Sequence, residues 1–214
     1  MDIVEFKKQP IMGIVRGVEL EQIEPLIEAV VASGLKTLEI TMNTKDADRI
    51  IHWAKETAQN RLMLGAGTVL DTDSLKTALD SGATFIVMPV FIKDVLEYCL
   101  RHKIPVFPGA FTPQEIYHAW CAGATMVKVF PAKFFGPAYF TEIKRPFPDI
   151  ELLACGGVTA DNIRSFFSSG AQAVAFGASI FRQDWFSAGD FSKIKDSIKT
   201  LIINSGFPGN PALK

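Results

Sequence analysis

The sequence lacks any cysteine or histidine pattern that would predict a metal site or a disulfide framework. Its three cysteines, Cys99, Cys121 and Cys155, are odd in number, widely spaced and not arranged as a CxxC pair. The three histidines are equally isolated and form neither an HxxxH nor an HExxH motif. We therefore expect no metal, and we interpret the cysteines as small core residues.

A large net charge and long apolar segments are also missing. The 214 residues carry a net charge of -1, so no overall field favours nucleic acid or an acidic membrane surface. No apolar run approaches the roughly 20 residues that span a bilayer, and the N-terminus lacks the pattern of a secretory signal. We expect a cytoplasmic protein that contacts neither nucleic acid nor membrane and binds anions only at a local site.

What the sequence does contain is a repeated unit: a short β-branched apolar run, a Gly or Pro, and an amphipathic stretch. The predicted strands are 11–15, 37–41, 62–66, 84–88, 105–109, 126–130, 151–155 and 173–177. The predicted helices are 20–33, 45–58, 72–81, 92–102, 112–122, 137–144, 159–169 and 190–203. Segments such as "ASGLK" and "CAGAT" place glycine where a helix ends before the next strand.

Alternating strands and helices require right-handed crossovers and a parallel sheet. The eight units predict an α/β protein with a single (β/α)8 TIM barrel over 1–214, and a doubly wound open sheet is the alternative. The barrel is favoured because polar side chains end many different strands, as expected where loops from all round a barrel share one mouth. Only the tail 205–214, "SGFPGNPALK", is expected to be loose.

Lys128 lies between Val127 and Val129 in "MVKVF", a run otherwise typical of a buried strand. Strand alternation puts it on the face opposite to the valines, so it can point into the barrel. Desolvation lowers a lysine pKa from about 10.4 by up to roughly 3 to 5 units and gives an amine that forms imines with carbonyls. A lysine paired with a carboxylate, or one that reaches solvent at the strand end, fits this segment equally well.

Glu39 is a similar anomaly in the predicted strand 37–41. A carboxylate inside a barrel, near a lysine or a bound water, is suited to general acid/base catalysis. The alternative is that Glu39 is the structural ion-pair partner of Lys128. The coincidence of the two favours an enzyme. Lys133, five positions after Lys128, is expected to be a solvated and unreactive loop residue.

Several residues after strand ends are candidates for binding anions. Arg16 at a barrel mouth suits a carboxylate, although a rim arginine in a surface ion pair is the alternative. Thr68 in "GAGT" can bind the same carboxylate or cap a plain turn. The loops after the last two strands of such barrels often bind phosphate, and ordinary βα turns that need glycine are the alternative. The phosphate candidates are Gly156, Gly157, Gly177 and Ser179.

Eight short motifs occur in an order that resembles a known family. They are "GIVRG", "LEIT", "GAGTVL", "FIVMP", "FPGAFTPQE", "VKVFPA", "GGVT" and "FGAS", over about residues 10 to 183. Together they resemble the class I KDPG/KHG aldolases, which cleave 2-keto-3-deoxy-6-phosphogluconate and 4-hydroxy-2-oxoglutarate. The resemblance implies a (β/α)8 barrel, usually a homotrimer, that converts the keto-acid sugar phosphate to pyruvate and glyceraldehyde 3-phosphate. It implies no metal or organic cofactor.

The resemblance also implies roles for the candidate residues. Lys128 corresponds to the imine-forming lysine and Glu39 to the general acid/base. Arg16 and Thr68 correspond to binders of the pyruvoyl carboxylate. The residues that correspond to the pocket wall and the phosphate site are Pro89, Phe130, Gly156, Gly157, Gly177 and Ser179.

Two candidate substrate-binding residues depart from the pattern of many gluconate enzymes. Asn43 stands where those enzymes have Arg, and Cys155 stands where they have Thr before the paired glycines. The segment "EITMN" also resembles relatives that cleave the C4 epimer, 2-keto-3-deoxy-6-phosphogalactonate. The gluconate is the first candidate substrate and the galactonate the alternative. An imine-independent phosphosugar isomerase or epimerase, or a non-catalytic sugar-phosphate binding protein, are alternatives of other classes.

Overall fold

The computed structural model describes residues 1–207, and its centre is one parallel sheet. The strand segments are β1 (Ile11–Val15), β2 (Thr37–Thr41), β3 (Met63–Gly67), β4 (Ile86–Val87), β5 (Val106–Phe107), β6 (Gly109–Ala110), β7 (Val127–Val129), β8 (Leu152–Cys155) and β9 (Ala173–Phe176). Their order in the sheet is β5-β4-β3-β2-β1-β9-β8-β7-β6.

The two ends of this order, β5 and β6, are halves of one predicted strand, 105–109. Pro108 separates them, and it has no N–H with which to continue a ladder. The first half pairs with β4 and the second with β7, so the sheet closes through this interrupted strand. The eight-stranded (β/α)8 barrel is therefore confirmed, with strand five in two parts.

The helices alternate with the strands as predicted. They are α1 (Ile3–Lys8), α2 (Ile23–Ser33), α3 (Ala47–Ala58), α4 (Thr72–Asp80), α5 (Lys93–Arg101), α6 (Pro113–Cys121), α7 (Pro137–Lys144), α8 (Ile163–Ser168), α9 (Gln183–Ser187) and α10 (Phe191–Ser205). Two short 3-10 turns cover Leu20–Gln22 and Ala132–Phe134. Helices α1 and α9 were not predicted, since each is too short to show a helical period. Within residues 1–207, no helix is both long and apolar enough to cross a membrane.

Two apolar clusters lie on the two faces of the sheet. The outer cluster, which includes Val127 and Val129 of β7, packs the strands against the helices. The inner cluster lies inside the barrel and includes Phe6 of α1, Phe85 and Phe107. The Phe107 ring centroid lies 6.0 Å from that of Phe6 and 5.9 Å from that of Phe85. These rings make this part of the barrel interior apolar.

The first three residues of the predicted loose tail are ordered against the rest of the chain. Ser205 is buried and ends α10, and the Phe207 ring lies 4.5 Å from that of Phe167. Residues 205–207 are therefore packed against the barrel. The rest of the predicted tail, 208–214, lies outside the described residues.

Candidate active site

Lys128 and Glu39 lie inside the barrel on facing strands. Lys128 is 5% exposed and Glu39 is 1% exposed. Their strands, β7 and β2, are separated by three strands of the closed barrel in either direction. Met126 belongs to the inner apolar cluster whereas Val127 belongs to the outer one, so strand alternation puts Lys128 on the inner face. The predicted inward orientation of this lysine is thus present in the structure.

Two glycines of β3 make room inside the barrel. A Cβ on Gly67 would overlap the Glu39 carboxylate, and a Cβ on Gly65 would overlap the Phe85 ring. Neither glycine has a positive φ, so close approach and not a turn is the reason for glycine here. In "GAGT" the turn begins only at Thr68, a β-branched residue at φ 56°. Gly67 was not among the predicted site residues, because a glycine near a strand end is ordinarily interpreted as part of a turn.

The Glu39 carboxyl has an unusual environment. Burial raises its pKa above the ordinary value, and the positive charges of Lys128 and Arg16 oppose that rise. Its Oε2 atom has no hydrogen-bond partner in residues 1–207, and no salt bridge joins it to Lys128 there. The structure therefore does not contain the alternative, a direct ion pair between Glu39 and Lys128. A buried carboxyl with a free oxygen is suited to exchanging a proton with a ligand.

The amine of Lys128 lies between Cys155 and Phe130. Nζ is 5.2 Å from the Phe130 ring centroid. Burial raises the pKa of the Cys155 thiol, and the charge of the nearby Lys128 opposes the rise. Cys155 is therefore a neutral thiol at neutral pH. Both neighbours also line an open cleft, whereas Lys128 itself is buried and is not part of the lining of that cleft.

The cleft has a volume of about 1030 Å³ and opens at the C-terminal ends of β1, β7, β8 and β9. This is where barrels of this kind carry their active sites, and the size suits a small organic ligand. The cleft brings together seven of the predicted residues: Arg16, Phe130, Cys155, Gly156, Gly157, Gly177 and Ser179.

Besides the buried Lys128 and Glu39, three further predicted residues are not part of the lining of this cleft. Thr68 follows β3, and Asn43 is exposed in the turn after β2. Pro89 follows β4, and its carbonyl oxygen packs so closely on Gly109 that a Cβ there would overlap it. All three are at the C-terminal ends of strands, on the opposite side of the mouth.

The turn that carries Arg16 is held by two residues that the sequence did not single out. Gly17 N–H donates to Thr44 Oγ1 at 3.1 Å, and Thr44 also hydrogen-bonds Thr41 Oγ1 at 3.1 Å. From the other side, Gln183 Nε2 donates to the carbonyl oxygens of Arg16 at 3.0 Å and Gly17 at 3.3 Å. The turn after β1 is thereby tied both to β2 and to α9.

The glycine loops after β8 and β9 are tied together as well. Gly156 and Gly157 have φ values of 94° and 84°, which only glycine adopts readily. Asn162 Nδ2 donates to the Gly157 carbonyl at 2.8 Å. Ser179 Oγ donates to the Val158 carbonyl at 3.0 Å, so this hydroxyl joins the two loops. Asn162 was not among the predicted site residues.

A (β/α)8 barrel with a buried lysine and a buried carboxyl beneath a cleft at the C-terminal strand ends defines a barrel enzyme. The family model described as "KDPG and KHG aldolase" matches residues 3–197. The chain therefore belongs to the KDPG and KHG aldolase family. It is a carbon-carbon lyase, and the family resemblance deduced from its motifs is confirmed.

Curated relatives carry the names of both epimer-specific enzymes. The chain is 33% identical over 184 residues to a probable 2-dehydro-3-deoxy-6-phosphogalactonate aldolase of Rhizobium meliloti (strain 1021), covering 86% of each chain. It is 31% identical over 181 residues to a 2-dehydro-3-deoxy-phosphogluconate aldolase of Treponema pallidum (strain Nichols), covering 83% of this chain and 86% of that one. The names agree on an aldolase and differ in the epimer.

A solved structure shows the same fold with a reaction intermediate bound. It is the KDPG aldolase of Legionella pneumophila with pyruvate captured as a covalent carbinolamine. The TM-score is 0.85 and the identity 25%, over 92% of this chain and 95% of that one.

Proposed function

We propose that this protein is a class I aldolase that cleaves 2-keto-3-deoxy-6-phosphogluconate to pyruvate and glyceraldehyde 3-phosphate. The unphosphorylated 4-hydroxy-2-oxoglutarate is proposed as a second substrate. The observation that carries the proposal is the pair Lys128 and Glu39, both buried on facing strands, with no hydrogen-bond partner for Glu39 Oε2 among the residues that the structure describes. An amine and a free carboxyl oxygen inside one barrel are what imine chemistry needs.

The first half of the mechanism forms an imine. The deprotonated amine of Lys128 attacks the C2 ketone of the substrate and forms a carbinolamine. Glu39 donates a proton to the departing hydroxyl, so water leaves and a protonated imine remains. The raised pKa of Glu39 supports this role, because it keeps a proton available on the carboxyl above the pH at which a free glutamate loses it.

The second half breaks the carbon-carbon bond. Glu39, now ionised, takes the C4 hydroxyl proton directly or through a water. The C3–C4 bond breaks, its electrons move into the iminium, and glyceraldehyde 3-phosphate leaves an enamine on Lys128. Protonation of the enamine at C3 and hydrolysis of the imine then release pyruvate.

The remaining predicted residues have binding roles in this proposal. Arg16 and Thr68 bind the pyruvoyl carboxylate, while Phe130 and Pro89 form the pocket wall. The strained φ of Thr68 supports a functional role, since strained backbone is often found at binding sites. The glycine loops with Ser179 bind the phosphate, with backbone N–H groups as donors.

The galactonate epimer is the second candidate, favoured by two observations. Asn43 and Cys155 stand where many gluconate enzymes have Arg and Thr, and Cys155 lies against Lys128 in the cleft. A relative with a galactonate name is 33% identical. Pyruvate release from each epimer, measured with a lactate dehydrogenase couple, tests both substrates. We expect the gluconate to have the higher kcat/KM. A higher value for the galactonate would reverse the assignment, and cleavage of neither would overturn it.

We also propose that the protein is a homotrimer in the cytoplasm, where phosphorylated sugar acids are metabolised. Phe134 and Phe135 are 67% and 55% exposed, whereas Phe166 is buried and Phe167 packs against the core. Of these two pairs, only the first is available for a subunit contact. Light scattering should give three times the chain mass of 23.5 kDa, and a monomer mass would contradict the proposal.

A further inference from the structure

Lys133 lies in the active-site cleft, although no step of the proposed mechanism uses it. It belongs to the 3-10 turn Ala132–Phe134 that follows β7, and it is exposed. Its side chain lines the cleft next to Gly157. A Cβ on Gly157 would lie 2.5 Å from Lys133 Cβ, so the lysine stem rests directly on the backbone of the glycine loop. Any side chain at Gly157 would displace it.

The charges that line the cleft leave Lys133 without a counter-ion. Arg182 and Asp184 also line it, but they pair with each other through hydrogen bonds of 2.9 and 2.8 Å. In the part of the chain that the structure describes, neither Lys133 nor Arg16 forms a salt bridge. Within residues 1–207 the cleft therefore has one cation without a salt bridge after β1 and another after β7.

Two separate cations match a substrate with an anion at each end. The proposed substrate carries a carboxylate next to its ketone and a phosphate at the far end. The positive charge of Arg16 opposes the rise that burial causes in the pKa of Glu39, so Arg16 is on the side of the reacting end. Among the described residues that line the cleft, Lys133 is the other cation without a salt bridge, and it lies against the glycine loop. An ammonium group binds phosphate as a compact point charge.

We propose that Lys133 binds the substrate phosphate and makes the enzyme prefer phosphorylated over unphosphorylated keto acids. This inference rests on the proposed function and adds a charged, specificity-determining residue to it. The glycine loops donate neutral hydrogen bonds, which an alcohol can also accept. A cation adds a charge-assisted contact that favours a phosphate over a neutral group at this position.

The test compares Lys133→Met, Lys133→Arg and Lys76→Met. The last is a matched control that removes the same charge from the exposed face of α4. For each protein, kcat and KM are measured on the phosphorylated keto acid and on its unphosphorylated counterpart, 2-keto-3-deoxygluconate, which has a neutral hydroxyl in place of the phosphate, with inorganic phosphate as the competing anion. We expect Lys133→Met to raise the KM for the phosphorylated acid and the inhibition constant of phosphate about tenfold each. Its kcat, and its KM for the unphosphorylated acid, should stay near wild type.

The other variants and a reaction without phosphate show whether the effect is specific to the charge of Lys133. Lys133→Arg and Lys76→Met should behave as wild type. Borohydride trapping of pyruvate involves no phosphate and should be unchanged in Lys133→Met. An unchanged KM for the phosphorylated acid, or an equal loss on both substrates, would overturn the role of Lys133 alone. A wild-type enzyme that traps pyruvate but cleaves no phosphorylated keto acid would overturn the proposed substrate as well.

Discussion

The Glu39 carboxylate lies directly over Gly67, in the space that a side chain on Gly67 would occupy. A Cβ there would overlap Oε1 and Cδ of Glu39 and lie 2.7 Å from its Cγ. The three nearest atoms to that Cβ all belong to Glu39, so the glycine serves this one side chain. The position of the proposed acid/base therefore depends on the absence of a methyl group on the neighbouring strand.

Gly67→Ala should move the carboxylate and lower turnover by at least about 100-fold, the usual contribution of a general acid/base. Overpacking should also lower the free energy of unfolding by about 1 to 3 kcal/mol. The control is the same substitution in a Glu39→Ala background, where the colliding atoms are absent. There the stability cost should largely disappear. An equal cost in both backgrounds, measured by urea unfolding, would show that Gly67 is required for another reason.

Glu39→Gln should change how stability depends on pH. Because burial raises the pKa of Glu39, the folded protein keeps this proton at a pH where the unfolded chain, with a pKa near 4.3, has lost it. The associated stability is present below about pH 4.3 and is lost as the pH rises through the folded pKa. The free energy of unfolding of Glu39→Gln does not fall in this way. It should exceed that of wild type by about 1.4 kcal/mol for each unit by which the pKa of Glu39 is raised.

Urea unfolding of both proteins between pH 4 and 8 measures this difference. The gain of Glu39→Gln should grow with pH and then level off. Parallel curves would mean that Glu39 titrates in the folded protein as it does in the unfolded chain. Turnover of the same variant should fall about 100-fold or more.

Thr68→Gly should weaken substrate binding and leave the stability of the fold nearly unchanged. A left-handed φ strains a β-branched residue by about 1 to 2 kcal/mol, and the extra freedom of an unfolded glycine offsets most of the relief. The free energy of unfolding should therefore change by less than about 1 kcal/mol. The KM should rise about tenfold, because a hydroxyl that binds the carboxylate is lost. Thr68→Ser should keep the wild-type KM. An unchanged KM in Thr68→Gly would remove Thr68 from the carboxylate site.

Thr44→Val tests whether the turn that carries Arg16 must be held. The valine has the same shape but leaves the Gly17 N–H without its acceptor, which should cost about 1 to 3 kcal/mol of stability. Because the turn positions Arg16, the KM should rise while kcat changes little. Thr44→Ser restores the acceptor and should restore the KM. A Thr44→Val enzyme that is less stable but has an unchanged KM would show that this hydrogen bond only supports the fold.

The sequence was most informative where strand alternation determines which face a residue occupies. Lys128 and Glu39 interrupt apolar strands, and a period of two is enough to place such residues on the inner face. The glycine loops were found because barrel topology brings the ends of neighbouring strands together. A close contact between residues that are distant in the sequence leaves no such pattern in the sequence. The role of Gly67, and the contact between Lys133 and Gly157, depend on side chains from other strands and loops.

Other differences have equally local causes. Pro108 divides one strand, because a residue without an N–H cannot continue the ladder on both sides. Helix α1 has only six residues, so its single buried residue, Phe6, shows no period. Thr44 and Gln183 act through hydrogen bonds to backbone atoms distant in sequence, which composition and spacing do not reveal.

The central claim is that Lys128 forms an imine with pyruvate, and reductive trapping tests it most directly. The wild-type enzyme, Lys128→Met and Lys133→Met are each incubated with pyruvate and borohydride, digested and analysed by peptide mass. We predict one stable adduct on the peptide that carries Lys128, present in wild type and Lys133→Met and absent in Lys128→Met. An adduct on Lys133, or no adduct at saturating pyruvate, would contradict the account.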